Sequence, residues 1–82
     1  MRMILEVVTP GNGKTYEVML DDILTVGAAK EKIIEQIKEF ENGNIAFDAT
    51  VALYSPATHT RLAEHKNIRK AGVKSGQPVL LL

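Results

Sequence analysis

Polar and apolar residues alternate from the start of the chain. Residues 2 to 8 place Met3, Leu5 and Val7 on one face and Arg2, Ile4, Glu6 and Val8 on the other, the period of a β-strand. Thr9-Pro10-Gly11-Asn12-Gly13 breaks the pattern, because proline cannot donate to a ladder and glycine takes up positive φ. Residues 15 to 20 alternate again, with Tyr16, Val18 and Leu20 opposite Thr15, Glu17 and Met19, so the first 20 residues read as a β-hairpin. The period then changes. Val26, Ala29, Ile33, Ile37 and Phe40 recur every three or four residues, which predicts an amphipathic helix of about 16 residues. Thr25 or Asp22 is placed to cap it, and Asn42-Gly43-Asn44 to end it.

The second half is less regular. Val51-Ala52-Leu53-Tyr54 has the β-branched and aromatic character of a short strand, and Ser55 to Thr60 reads as a turn leading to a shorter strand at Arg61-Leu62. Glu64 to Gly72 predicts irregular chain with one helical turn anchored by Ile68. After a turn at Ser75-Gly76, Val79-Leu80-Leu81-Leu82 is a continuous apolar run suited to a central strand, pairing parallel to the first. The order hairpin, helix, strand, short strand, final strand predicts an α+β layer, one helix across one sheet.

Length allows no more than this. A chain of 82 residues buries only a little over ~60% of its unfolded surface, so residues 1–82 form a single domain. Ten basic and ten acidic residues cancel, which removes the field that would gather nucleic acid or anionic lipid. No stretch approaches the roughly 20 apolar residues of a membrane span, and the start lacks the apolar run of a signal peptide. The absence of cysteine excludes disulfides, thiolate metal sites and a cysteine nucleophile. These features lead us to expect a cytoplasmic protein.

Two stretches carry a family resemblance. Thr9-Pro10-Gly11-Asn12-Gly13-Lys14-Thr15, then Asp22-Ile23-Leu24-Thr25-Val26 and Lys30-Glu31-Lys32-Ile33, resemble the first half of ubiquitin: a Gly-Lys-Thr hairpin turn followed by a helix entered through an acidic and a hydroxyl residue. Leu62, Ile68, Val73, Val79 and Leu81 fall at the spacing of its later core positions. The run from Ile68 through Gly72-Val73 and Gly76 to Val79-Leu80-Leu81-Leu82 is similar to the small ubiquitin-like accessory proteins of Gram-positive bacterial type VII (WXG100) secretion systems. The resemblance implies a ubiquitin-like β-grasp, a mixed sheet of four to five strands with one helix packed across one face. It also implies a protein-binding role, with a cytosolic secretion-system component as partner. One feature departs from ubiquitin. Conjugated and sulfur-carrying members need a flexible Gly-Gly tail, and this sequence ends at Leu82 inside a predicted strand. Activation at the C-terminus is therefore the lesser expectation.

Catalysis is not expected, and neither is a cofactor or a metal. His59 and His65 are the only side chains that titrate near neutrality without perturbation, but with only Glu64 beside them they lack zinc spacing and a third ligand. Pro10 to Thr15 ends in Lys-Thr like a phosphate-binding loop, yet it is short and joins two strands where such a loop joins a strand to a helix. Ser55, Thr58 and Thr60 near His59 lack a neighbouring carboxylate and the serine lacks an elbow motif, so they read as turn residues. Asp21-Asp22 suits a helix entry better than a catalytic pair. The charges from Lys30 to Glu39 read as a solvated helix face.

What remains is apolar surface. If Met3, Leu5, Val7, Val79 and Leu81 face the helix, alternation sends Ile4, Val8, Leu80 and Leu82 outward, joined by Tyr54 or Leu53. Ile4, Val8, Tyr54, Leu80 and Leu82 are thus the expected contact surface for a protein partner, with Arg2, Glu6 and Arg61 at its rim. The same surface also allows a monomer to pair weakly with itself as a homodimer.

Overall fold

The computed structural model describes all 82 residues. Strands β1 (Arg2–Thr9) and β2 (Lys14–Asp21) form the hairpin, α1 (Val26–Phe40) follows, and β3 (Leu53–Tyr54) and β4 (Pro78–Leu81) complete the sheet. The strand order is β2-β1-β4-β3. Pairing is antiparallel between β1 and β2 and between β3 and β4, and parallel between β1 and β4. The last strand lies inside the sheet, where its lack of polar alternation placed it.

Alternation in the hairpin is converted directly into burial. Met3, Leu5 and Val7 of β1, Tyr16, Val18 and Leu20 of β2, and Val79 and Leu81 of β4 are all buried against Val26, Ala29, Ile33 and Ile37 of the helix in one core. Ile68, Leu62, Val51 and Leu53 close the same core from the irregular second half. The turn around Ile68 is a single α-type turn, with Ala71 N–H donating to Asn67 O at 3.0 Å.

Both ends of the helix are closed by hydrogen bonds from the flanking chain. Thr25 caps through its hydroxyl, which accepts from Ala28 N–H at 3.2 Å. Val26 N–H donates to Lys66 O at 2.8 Å and Gly27 N–H to Glu64 O at 3.0 Å, so segment 64–66 supplies the remaining acceptors of the first turn. At the other end Asn42 and Gly43 both take positive φ, 53° and 77°. Gly43 N–H reaches back to Lys38 O at 2.8 Å and Asn42 N–H to Glu39 O at 3.1 Å, the pattern of a Schellman stop.

Several expectations need correction. Phe40 is 59% exposed and outside the buried stripe, because the helix ends there; its ring stacks on Tyr16 with centroids 6.2 Å apart. Arg61-Leu62 is no strand, only an isolated bridge between Arg61 and Tyr54. Among the helix charges read as a solvated face, Lys30 is the exception: its side chain is mostly covered and its ammonium pairs with Glu64 Oε2 at 2.6 Å.

Candidate protein-interaction face

The register of the sheet decides which outward residues become neighbours. Val8 stands opposite Leu80, and Leu80 opposite Tyr54, so one row of apolar side chains crosses three strands. Tyr54 then bridges to Arg61, which puts a cation at the end of the row. Leu53 is buried in the core and Tyr54 is half-buried on the outer face, so the pairing of Tyr54 with Leu80 settles its direction. Leu82 continues the face just beyond β4. It exchanges backbone hydrogen bonds with Ala52 at 2.8 and 3.0 Å and remains 50% exposed.

Ile4 is on the same face but not in the same row. Three residues separate it from Val8 along β1, and its neighbour across the hairpin is Met19, 48% exposed against 42% for Ile4. Met19 belongs to the face and was missing from the expected set. Nothing in β2 alone marks it, because its value depends on its register with Ile4.

The row between them is acidic. Glu6 lies directly opposite Glu17, and both are exposed. Backbone bonds show how close these side chains come. Ile4 N–H donates to Ser75 Oγ at 3.1 Å, and Ile4 O accepts from Gly76 N–H at 2.7 Å. Across the hairpin, Met19 N–H donates to Gln36 Oε1 at 3.2 Å, and Met19 O accepts from Gln36 Nε2 at 2.8 Å. Both residues of the Ile4–Met19 pair therefore turn their backbone groups away from each other. By the alternation of an antiparallel ladder, so do Glu6 and Glu17, two residues along. Side chains approach most closely across such pairs. Neither glutamate has an ion-pair partner, and Arg2, the same-face cation of β1, is turned to Met19 Sδ at 3.7 Å.

Elsewhere the polar groups serve the fold. His59 and His65 are exposed in loops, and His59 holds a turn at φ 57°. No three His, Asp or Glu side chains converge as a metal site would require. In the Pro10–Thr15 loop, Lys14 Nζ is occupied by Glu41 Oε1 at 3.1 Å. Asp22 receives Arg69 Nε at 2.7 Å and the Met1 ammonium at 3.0 Å, and these donors, the ammonium first, hold its carboxyl below the usual range. Thr58 and Thr60 share a hydrogen bond at 2.6 Å, and no carboxylate orients the imidazole between them. A groove of about 680 Å³ lies between the hairpin loop, the end of α1 and segment 44–51, with Leu81 and Leu82 also in its lining.

No protein-family model and no curated protein sequence matches this chain. Solved structures do. The ubiquitin-like domain of EccD5 from Mycobacterium xenopi superposes with a TM-score of 0.79 at 14% identity, covering 100% of this chain and 93% of that one. Ubiquitin from Caldiarchaeum subterraneum gives 0.73 at 22% identity over 99% of this chain and 91% of that one. A chain of the MycP5-free ESX-5 inner membrane complex gives 0.77 at 18% identity, with 99% of this chain matching 20% of the larger one. At these identities the likeness is one of fold, and the shared elements are the hairpin, the crossing helix and the parallel closing strand. The chain has the ubiquitin-like β-grasp fold.

Proposed function

We propose that this chain is a protein-binding module that acts without being conjugated, docking a partner on the outer face of its sheet through Val8, Leu80 and Tyr54, with Ile4 and Leu82 at the margins. The observation that carries the reading is the single row in which β1, β4 and β3 place Val8, Leu80 and Tyr54 side by side. Aliphatic and aromatic anchors of this kind supply affinity, while rim charges such as Arg61 and Arg2 supply orientation. A component of a type VII secretion machine is the partner we favour, supported by fold likeness to a mycobacterial EccD5 domain and to part of an ESX-5 inner membrane complex. Such likeness supplies a prior, because one fold hosts many functions. We place the module in the cytoplasm and assign it no catalytic step; no helix is long and apolar enough to cross a membrane.

The test is a crosslinking pull-down from native lysate, comparing the wild type with a Leu80→Glu, Leu82→Lys variant whose folding is checked by circular dichroism. Loss of one specific partner is the expected result. Retention of every partner by the folded variant moves the interface to the helix or loops. The rival reading, activation at the C-terminal carboxylate, predicts an adduct in the intact mass of protein purified from its own cells.

A further inference from the structure

The outer face is not uniformly apolar, and its charge has a fixed place. Glu6 and Glu17 form a cross-strand pair with no cation of their own, between the Ile4–Met19 pair on one side and the Val8–Leu80–Tyr54 row on the other. Like charges set opposite each other oppose the sheet that holds them. The strand could accommodate threonine or lysine at either site with less conflict, since both positions are solvent-facing.

We infer that the outer face receives a protein segment bearing an arginine or lysine flanked by aliphatic side chains, the cation seated between Glu6 and Glu17. This rests on the outer-face reading above and adds to it the chemistry of the partner. Same-face residues along a strand repeat at roughly 7 Å, so the flanking aliphatic groups must stand about that far from the cation. Alternate residues of an extended segment have this spacing, and successive turns of a helix come near it. A guanidinium suits the site best, because its planar fork can donate to two carboxylates at once. A second copy of this chain fits poorly. A two-fold contact must be self-complementary, and centring it on this row would oppose four carboxylates. Nucleic acid meets the same repulsion.

The test uses the full 82-residue chain as bait for a displayed library of random linear peptides. Recovered peptides are then measured against two variants, Leu80→Glu and the pair Glu6→Gln, Glu17→Gln, each checked for folding by circular dichroism. The expected peptides carry a basic residue with aliphatic neighbours, bind the double variant roughly tenfold more weakly at low ionic strength, and lose that difference as salt rises. They also fail on Leu80→Glu. Peptides that fail on Leu80→Glu but bind the double variant unchanged overturn the basic partner and leave the apolar face standing. Peptides indifferent to Leu80→Glu, or a selection that yields none, overturn both. Dimerisation of the wild type alone in sedimentation, abolished in the double variant, overturns the inference in favour of a second copy.

Discussion

Tyr16 joins the hairpin to the far end of the helix. Its hydroxyl donates to Glu41 Oε1 at 2.7 Å and accepts from Asn12 Nδ2 at 3.3 Å, while its ring stacks on Phe40. The hydrogen bond from Tyr16, and next the ammonium of Lys14, hold Glu41 below its ordinary value of 4.5; burial, then the Glu41 contact, push the tyrosine up. Glu64 is lowered by Lys30 at 2.6 Å, and Asp48 by the backbone and side chain of Thr50. A carboxyl whose folded pKa is depressed stabilises fully above its unfolded value, and the contribution is lost as pH falls through the folded one. Stability should therefore hold down to the ordinary carboxylate range and decline below it. Glu41→Gln should be less stable at neutral pH and should lose less between neutrality and about pH 3, as read from denaturant midpoints at both. The hairpin core was legible residue by residue, because alternation states burial directly. Tyr16 as the partner of Glu41 was not, since neither periodicity nor spacing connects positions so far apart in the chain.

Among the elements, β2 is the exposed edge of the sheet. An eight-residue edge strand invites pairing with another chain. Gln36 reaches from the helix to bond both backbone groups of Met19, and so occupies with a side-chain amide the place a neighbouring strand would take. Replacing Gln36 by Ala frees those groups, and the expected outcome is more concentration-dependent association than in the wild type, measured by light scattering on folded protein. Unchanged association would show that the twist and charge of β2 suffice. The opposite edge needs no such device, because residues 60–62 cover β3 through Ser55 N–H to Thr60 O at 3.0 Å and Leu62 N–H to Leu53 O at 2.9 Å. The helix was readable from its period and its caps. Its last turn was not, for Phe40 keeps the apolar spacing yet lies where the core has already ended. The Arg61-Leu62 segment resembled a strand in composition, but the chain turns away after a single bridge.

For the molecule as a whole, the irregular stretch between β3 and β4 is held by few side chains, and Ile68 is fully buried among them. Ile68→Ala should cost about 2–5 kcal/mol. For 82 residues the whole stability is roughly 4–12 kcal/mol, so this single change should bring the chain close to unfolding, visible as a lowered thermal midpoint. The apolar outer face was largely predictable from alternation. Its division by an acidic row was not, because the Glu6–Glu17 pairing exists only once the hairpin register is set. The parallel pairing of Val7 with Val79 carries a kinetic consequence. The two central strands are the first and the last of the sheet in chain order, so the hairpin and helix can form early, but β1 keeps one open side until β4 arrives. During synthesis on a ribosome β4 emerges after every other strand of the sheet. Until β4 is available the domain is therefore a half-built sheet, exposed to wrong pairings that the completed sheet no longer offers.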